Sequence, residues 1–502
     1  MRSKKAALNF LTSLLLQIIT AVCGFIVPRL ILNTFGSSVN GLIGSISQFL
    51  GYIVLLEAGV GGVVRAALYG PLAEHDIGNI SGIIKATEKF FKKIAYIFLG
   101  YMFIFAIIFP YLKGGGFGYP YVFCLVLIIG MSTFSQYYFG ITYQVLLQAD
   151  QKTYITSSVQ VMTTIVNTIL IWVLIKYGAS IHVVRIGSML VFFTRPIILR
   201  LYVRSRFQLD RNCAANDQAI KQRWDGFGHH IAFFLHSSTA VVVLTLFSTF
   251  KEVSVFTVHF MIISSVKSLA TTVSHGFEAA MGNMIAKEED DALNRNFRIY
   301  ESIVHITAAA LFTTTALTIT PFISVYIHGV TDVNYYRPAF AYLLTLGEAL
   351  YCIRLPYHSV VVAAGHFKQT RNGAFAEAFI NIAVSAVAVH FWGIIGVAIG
   401  TVCATLFRTT QYAYYLRKNI INRKFNVFIK RGLISVMIVC AIVLSSKLIP
   451  STGIDSYASW SLYAVQIAFM AFFITILANL IFYKKDMKNI FESLKRIIAK
   501  KR

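Results

Sequence analysis

Apolar residues run along this chain in blocks of roughly 18 residues or more, separated by short segments rich in Lys and Arg. Roughly 20 apolar residues at about 1.5 Å each cross a hydrocarbon layer of about 30 Å, so each block is predicted to be a membrane-spanning helix. Fourteen spans are predicted, at 8–34, 39–64, 92–112, 120–147, 154–177, 181–203, 229–250, 254–285, 299–327, 338–363, 371–391, 393–416, 432–449 and 457–482. The first block is too long for a signal-peptide core and shows no small-residue cleavage pattern, so it is read as a retained helix.

The most informative stretch is residues 36–93, which begins GSSVNGLIGSISQFLGYIVLLEAGVGGVVRAALYGPLAEH. An apolar helix there carries one carboxylate, Glu57, then a glycine cluster at Gly59, Gly61 and Gly62, and leaves the apolar zone at Arg65. An amphipathic basic linker follows and closes with Lys92 and Lys93. Small residues crowd this span, which lets helices approach closely. The same plan returns 217 residues later, where Gly59 falls on Gly276 and Gly130 on Gly347. The loop 148–153 falls on 365–370, and after a few residues of slippage Asn167 falls on Asn381 and Phe193-Thr194-Arg195 loosely on Phe407-Arg408-Thr409. A period of this length held over many segments marks two copies of one membrane unit.

The expected fold class is therefore an all-α polytopic membrane protein of about 14 transmembrane helices. Two six-helix bundles are predicted at 1–203 and 229–416, joined by a basic linker at 204–228. A second basic linker at 417–431 leads to two further helices within 432–482, and a basic tail spans 483–502. An even number of spans per copy relates the halves by an axis along the membrane normal. Prolines at 28, 196, 321 and 356 are expected to kink their spans.

Composition agrees with this reading: 57% of residues are hydrophobic and only 13% charged, against about 25% charged in a soluble domain. A net charge of +24 would by itself suit a nucleic-acid binder, but its placement argues otherwise. With the N-terminus inside, the inner segments hold 33 of the 45 Lys and Arg and the outer loops five, Lys113, Lys176, Lys251, Arg337 and Lys447. That asymmetry places both termini on the cytoplasmic side. The six cysteines are scattered, with no CxxC or Cys/His spacing, so no disulfide framework, metal site or cofactor is expected. No GxxxxGK[ST] motif and no extramembrane stretch long enough for a nucleotide-binding domain is present, which argues against direct ATP-driven transport. No catalytic constellation is visible either, and the chain is read as a transporter rather than an enzyme.

Ionisable groups inside a bilayer are expensive and mark function or structural pairing. The embedded cations are Arg29, Arg185, Arg195, Arg200, Lys267, Arg354 and Arg408, and the acids Glu57, Glu278, Glu348 and Glu377. Histidines 236, 259, 275, 305 and 358 are also embedded, mostly as core groups. Lys267, Arg354 and Arg195 lie nearest mid-span, and Arg29 and Arg185 nearer the outside. These five are the candidate lining of a cationic cavity for an anionic substrate. For Lys267 and Arg354 the alternative is a structural ion pair with Glu348 or Glu278. Glu57 and Arg65 sit near the inner boundary, where salt bridges latch helices, and with Glu278, His275 and Glu348 form the candidate gating set. Arg200 and Arg408 lie toward the cytoplasm, where long side chains snorkel.

The span 2 segment LLEAGVGGVVRAALYGPLA, the loop LLQADQKTYI and the six-plus-six-plus-two plan resemble the bacterial polysaccharide-repeat flippases of the Wzx type. These are a branch of the multidrug/oligosaccharidyl-lipid/polysaccharide (MOP) exporter superfamily. The resemblance implies a V-shaped transporter in the bacterial cytoplasmic membrane that moves an undecaprenyl-diphosphate-linked oligosaccharide outward by alternating access. It also implies work beside a polysaccharide polymerase machinery, with transport passive or coupled to protons or sodium. In O-antigen or capsule synthesis such a lipid-linked repeat unit is the cargo. A lipid II flippase is the alternative that shares these features. A drug/cation antiporter of the same superfamily is disfavoured because span 1 holds no acid, and a non-transporting scaffold leaves the embedded charges without motive.

Overall fold

The computed structural model describes residues 2–57, 59–210, 212–219, 221, 238–451 and 453–499; within these, the side chains of 2–4, 6, 273, 275, 276, 279 and 493–499 are not described. Much of the predicted linker 204–228, the start of the seventh predicted span with His236, and the His275 side chain therefore lie outside the described residues. The described chain is helical, with no strand among the described residues. In order the helices are α1 (Arg2–Leu50), α2 (Val54–Glu57), α3 (Val60–Glu74), α4 (Ile77–Lys113), α5 (Tyr119–Ser135), α6 (Ile141–Ala149), α7 (Thr153–Lys176) and α8 (Ile181–Arg206). The short α9 (Ser238–Phe247) follows. Then come α10 (Phe250–Ala286), α11 (Asp290–Tyr326), α12 (Pro338–Ala363), α13 (Phe367–Trp392), α14 (Ile394–Asn419), α15 (Phe425–Ser446), α16 (Tyr457–Phe482) and α17 (Lys484–Ala499).

Eleven of the described helical segments are long and apolar enough to cross a bilayer, which makes this a multi-pass membrane protein. The difference from fourteen predicted spans has local causes. The first two spans count as one segment because they meet without a loop, but a kink at Gly36 divides them, at φ 81° and ψ 174°, a non-helical conformation that glycine adopts without steric cost. The tenth span is the 26-residue α12, which carries Glu348, Arg354 and His358 along its length. Of the seventh, only Ser238–Phe247 falls among the described helices.

The polar segments between spans are more regular than a reading of linkers implies. α4 starts at Asp76, whose carboxylate accepts a hydrogen bond from the Asn79 amide at 3.0 Å and caps the helix. That bond holds the Asp76 carboxyl below the usual carboxylate range. From there a single helix of 37 residues carries the basic segment into the third span. α11 is also 37 residues long, and α8 and α14 are 26 each. Each second copy starts 213 residues after its first, Ile77 against Asp290 and Ile181 against Ile394, a few residues from the offset read near Gly59. The expected tail at 483–502 contains a further helix, α17.

By contact the chain divides into two compact units, Met1–Ser254 and Val255–Arg502. In the first, α1 packs along α7, α4 along α5, and α7 along α8. Its core includes Leu42, Ile46, Phe98, Leu125 and Leu146, all fully buried. α9 and the first turn of α10 belong to this unit because they pack on the second half of α1. Ser45 and Thr245 share a hydrogen bond of 2.7 Å, and Asn40 donates to Ser254 at 2.8 Å. A Cβ at Gly41 would strike the backbone of Phe250.

In the second unit α11 is the helix against which α12, α15, α16 and α17 pack. α15 and α16 meet it through Ala309, Ile434, Ile438 and Ala471, and Trp460 donates to the Thr318 carbonyl at 3.0 Å. α17 lays Met487 and Ile490 on Ile299. α13 and α14 approach closely at Gly396 and Gly400, where a Cβ would run into Ala388 and Ser385.

The close approach at Gly41 predicts that Gly41→Ala lowers the melting midpoint in detergent, by the equivalent of about 1–3 kcal/mol of overpacking. Gly24→Ala is the matched control, since nothing lies within 4 Å of a Cβ there.

Candidate functional site

In the first unit the polar features converge on the α5–α6 segment. Between these helices Gln136–Gly140 form one π-helical turn. Such a turn inserts an extra residue and is frequent at functional sites. It brings Gly140 against Pro196 of α8, where a Cβ would stand 2.9 Å from the proline Cβ. It also carries Tyr137, whose hydroxyl donates to Glu57 at 2.8 Å. Arg65 of α3 donates to Gln148 of α6 at 3.0 Å. Glu57 and Arg65 thus each tie the glycine-rich stretch around Gly59 to the same neighbouring segment, and no ion pair joins the two among the described residues.

Arg195 lies beside this turn. Its Nε donates to Thr163 at 2.6 Å and its Nη2 to Thr164 at 2.9 Å, both on α7. Its guanidinium carbon stands 4.4 Å from the centre of the Phe192 ring. A cavity of about 100 Å³ opens next to it, lined among others by Thr133, Gln136, Gln144, Thr156 and Gln160. No carboxylate lines it. Arg185, ten residues earlier on α8, has a buried Nε without a hydrogen-bond partner among the described residues. Arg29 is half-buried beside Pro28 on α1. Arg200 lines a second cavity of about 200 Å³ with Glu88, Lys92 and Tyr143, where Tyr143 donates to Glu88 at 2.7 Å.

The second unit treats its charges differently. Lys267 of α10 pairs with Glu348 of α12 at 2.7 Å, and its ammonium stands 3.7 Å from the centre of the Tyr351 ring. Arg354 covers the same ring at 4.5 Å and pairs with Glu377 of α13 at 2.5 Å. The second Glu377 oxygen stands 3.5 Å from Nε of Arg408 on α14. Arg408 also donates to the Thr370 carbonyl, to Gln411 and to the Tyr412 hydroxyl. Lys267 and Arg354 are therefore closed on carboxylates, the structural alternative that the sequence leaves open. Arg408, expected to snorkel, is instead only 2% exposed, because Glu377 and Tyr412 satisfy it inside the bundle. Glu278 is exposed and is not the partner of Lys267. Of the embedded histidines, His259 bonds the Val255 carbonyl at 2.8 Å and His305 the Ser435 hydroxyl at 2.9 Å.

A second buried cluster is absent from the sequence reading. Glu301 of α11 is fully buried and receives Tyr357 at 2.5 Å, Arg423 at 2.8 Å and Arg431 at 3.3 Å. Arg431 also pairs with Asp486 at the start of α17 at 2.8 Å and donates to Ser302. The cluster ties α11, α12, α15 and α17 together. Its sequence signal is faint: Arg423 and Arg431 read as members of a basic linker, and Glu301 sits at the edge of its span. The acids Glu301 and Asp486 near basic segments are the available clue.

Removing one partner of a buried pair leaves an uncompensated charge and costs about 3–5 kcal/mol. Glu377→Gln, which strands Arg354 and Arg408, is expected to lower the melting midpoint sharply, while Glu278→Gln leaves it in place. Equal midpoints for wild type and Glu377→Gln would contradict this pairing scheme.

No family model matches the chain, and no curated protein matches it in sequence. Solved structures do. The lipid II flippase MurJ in an inward closed conformation aligns with a TM-score of 0.72 at 15% identity, covering 95% of this chain and 99% of that one. An inward-facing multidrug resistance MATE family transporter of the MOP superfamily aligns at 0.60 and 13% identity, over 80% of this chain and 96% of that one. The MATE multidrug transporter DinF-BH aligns at 0.58 and 14% identity, over 82% and 95%. The chain shares the fold of these flippase and transporter structures.

Proposed function

We propose that this chain is a flippase that carries an undecaprenyl-diphosphate-linked oligosaccharide repeat unit across the bacterial cytoplasmic membrane, by alternating access and for surface polysaccharide assembly. The observation that carries this reading is the sign of the embedded charge in the first unit. Among the described residues Arg195 has no carboxylate partner, and Arg185 has a buried Nε without a hydrogen-bond partner. α1 contains no Asp or Glu along its 49 residues. A cationic drug meets no counter-charge at Arg185, at Arg195 or along α1, whereas an anionic lipid-linked glycan is stabilised there.

In this reading Arg29 and Arg185 of the first unit are offered to the diphosphate on its way out. In the second unit Lys267 and Arg354 are available to phosphate oxygens by exchange for Glu348 and Glu377. Both termini are cytoplasmic, with the basic segments toward anionic headgroups. Transport is passive or coupled to protons or sodium, and the cargo passes to a polymerase machinery outside.

A lipid II flippase is the second reading, favoured by the coverage of the MurJ alignment, which extends over 95% of this chain where the MATE transporters reach 80% and 82%. Both cargoes share the carrier diphosphate and differ in the glycan.

The test is translocation in proteoliposomes, scored by access of an external glycan-cleaving enzyme to the cargo, beside efflux of a cationic dye. Protein-dependent flipping without dye efflux is expected, and dye efflux without flipping would overturn the reading. A lipid II arm separates the two glycans. Arg185→Ala is expected to slow flipping about tenfold, the equivalent of one lost charge-assisted hydrogen bond.

A further inference from the structure

The Arg195 cavity has a chemistry of its own. Four polar groups around it make no hydrogen bond among the described residues: the side-chain amides of Gln136, Gln144 and Gln160, and Nη1 of Arg195. The other two nitrogens of Arg195 are held by Thr163 and Thr164, and Phe192 covers one face of the guanidinium. One N–H edge is therefore pre-oriented and left open. Arg195 sits about 21 Å along α8 from Ile181 and about 16 Å from Arg206 at 1.5 Å per residue, well inside the span. A guanidinium at that depth with no counter-charge is costly unless a ligand supplies one.

The rest of the lining says what kind of ligand. A diphosphate offers only acceptors and about two negative charges, and it is met by clustered cations. This cavity has a single cation, and its three amides present acceptor oxygens as well as donors. Groups that both donate and accept are the complement of hydroxyls. A single positive charge among amides and hydroxyls fits one carboxylate on a ring bearing several hydroxyls. The volume of about 100 Å³ exceeds the roughly 10–15 Å³ that one water needs, so the site has room for more than a solvent molecule. The π-turn that carries Gln136 and presses Gly140 on Pro196 shows that the lining is built by a departure from regular helix.

We propose that this cavity is a sugar-reading subsite that takes an acidic monosaccharide, with the carboxylate on Arg195 and the hydroxyls on Gln136, Gln144 and Gln160. Arg195, expected from the sequence to line one cationic cavity with Lys267, Arg354, Arg29 and Arg185, is assigned to the glycan. The assignment rests on the flippase reading and narrows its cargo to repeat units containing a uronic acid or a sugar of like charge.

The experiment uses the full chain in proteoliposomes and two cargo lipids with the same undecaprenyl diphosphate. One carries an oligosaccharide with a single uronic acid; in the other that carboxyl is reduced to the primary alcohol. Wild type is expected to flip the acidic cargo about tenfold faster, the equivalent of one charge-assisted hydrogen bond. Arg195→Gln is expected to erase most of that ratio, and Gln160→Ala to slow both cargoes without erasing it. Equal wild-type rates for the two cargoes would overturn the subsite while the flippase stands. An Arg195→Gln variant that slows both cargoes equally assigns Arg195 to the diphosphate and also overturns it. Wild type that moves neither cargo removes the flippase reading itself. If Arg195→Gln does not fold, the wild-type ratio alone decides.

Discussion

A charge in hydrocarbon has to be compensated where it stands, and the two units of this protein meet that constraint by different means. In the second unit the embedded cations each have a carboxylate: Lys267 has Glu348, while Arg354 and Arg408 share Glu377. Tyr351 adds the negative face of its ring to two of them. In the first unit the work is done by neutral groups. Thr163 and Thr164 hold Arg195, and Gln148 holds Arg65. Hydroxyls and amides satisfy donors but leave the positive charge in place. That difference makes the first unit the one with charge left over for a ligand.

The paired charges of the second unit also decide its architecture. Glu377 joins α12, α13 and α14, and Glu301 joins α11 to α12, α15 and α17 through Tyr357, Arg423 and Arg431. Buried pairs of this kind contribute little net stability over an apolar core, but breaking one is expensive. They fix which helices are neighbours. The final two spans and α17 are bound to the unit in this way, in addition to the apolar contacts at Ile438, Ala471 and Met487.

Span positions and the internal repeat were legible because both rest on hydrophobic length and on recurring small residues, which survive without any knowledge of packing. The equal lengths of α4 and α11 accord with the duplication read from Gly59 and Gly276. The break between the first two spans was legible in the Gly-Ser pattern at Gly36, where the backbone leaves the helical region; that the next helix resumes without a loop was not. The site was legible as a list of embedded charges and not as a set of partners. Glu377 stands out as an acid, but its bond to Arg354 spans 23 residues and depends on how α12 and α13 face each other. The glutamines beside Arg195 escape a sequence reading because an uncharged amide in a long apolar run carries no cost signal until a cavity is seen next to it.

The central claim is that the surplus positive charge of the first unit selects an anionic lipid-linked glycan. The most direct test is native mass spectrometry of the purified full chain offered an undecaprenyl-diphosphate-linked oligosaccharide in competition with a cationic dye. The account predicts that the glycolipid is retained and the dye is not, with retention weakened in Arg185→Ala. Retention of the dye in place of the glycolipid would contradict it.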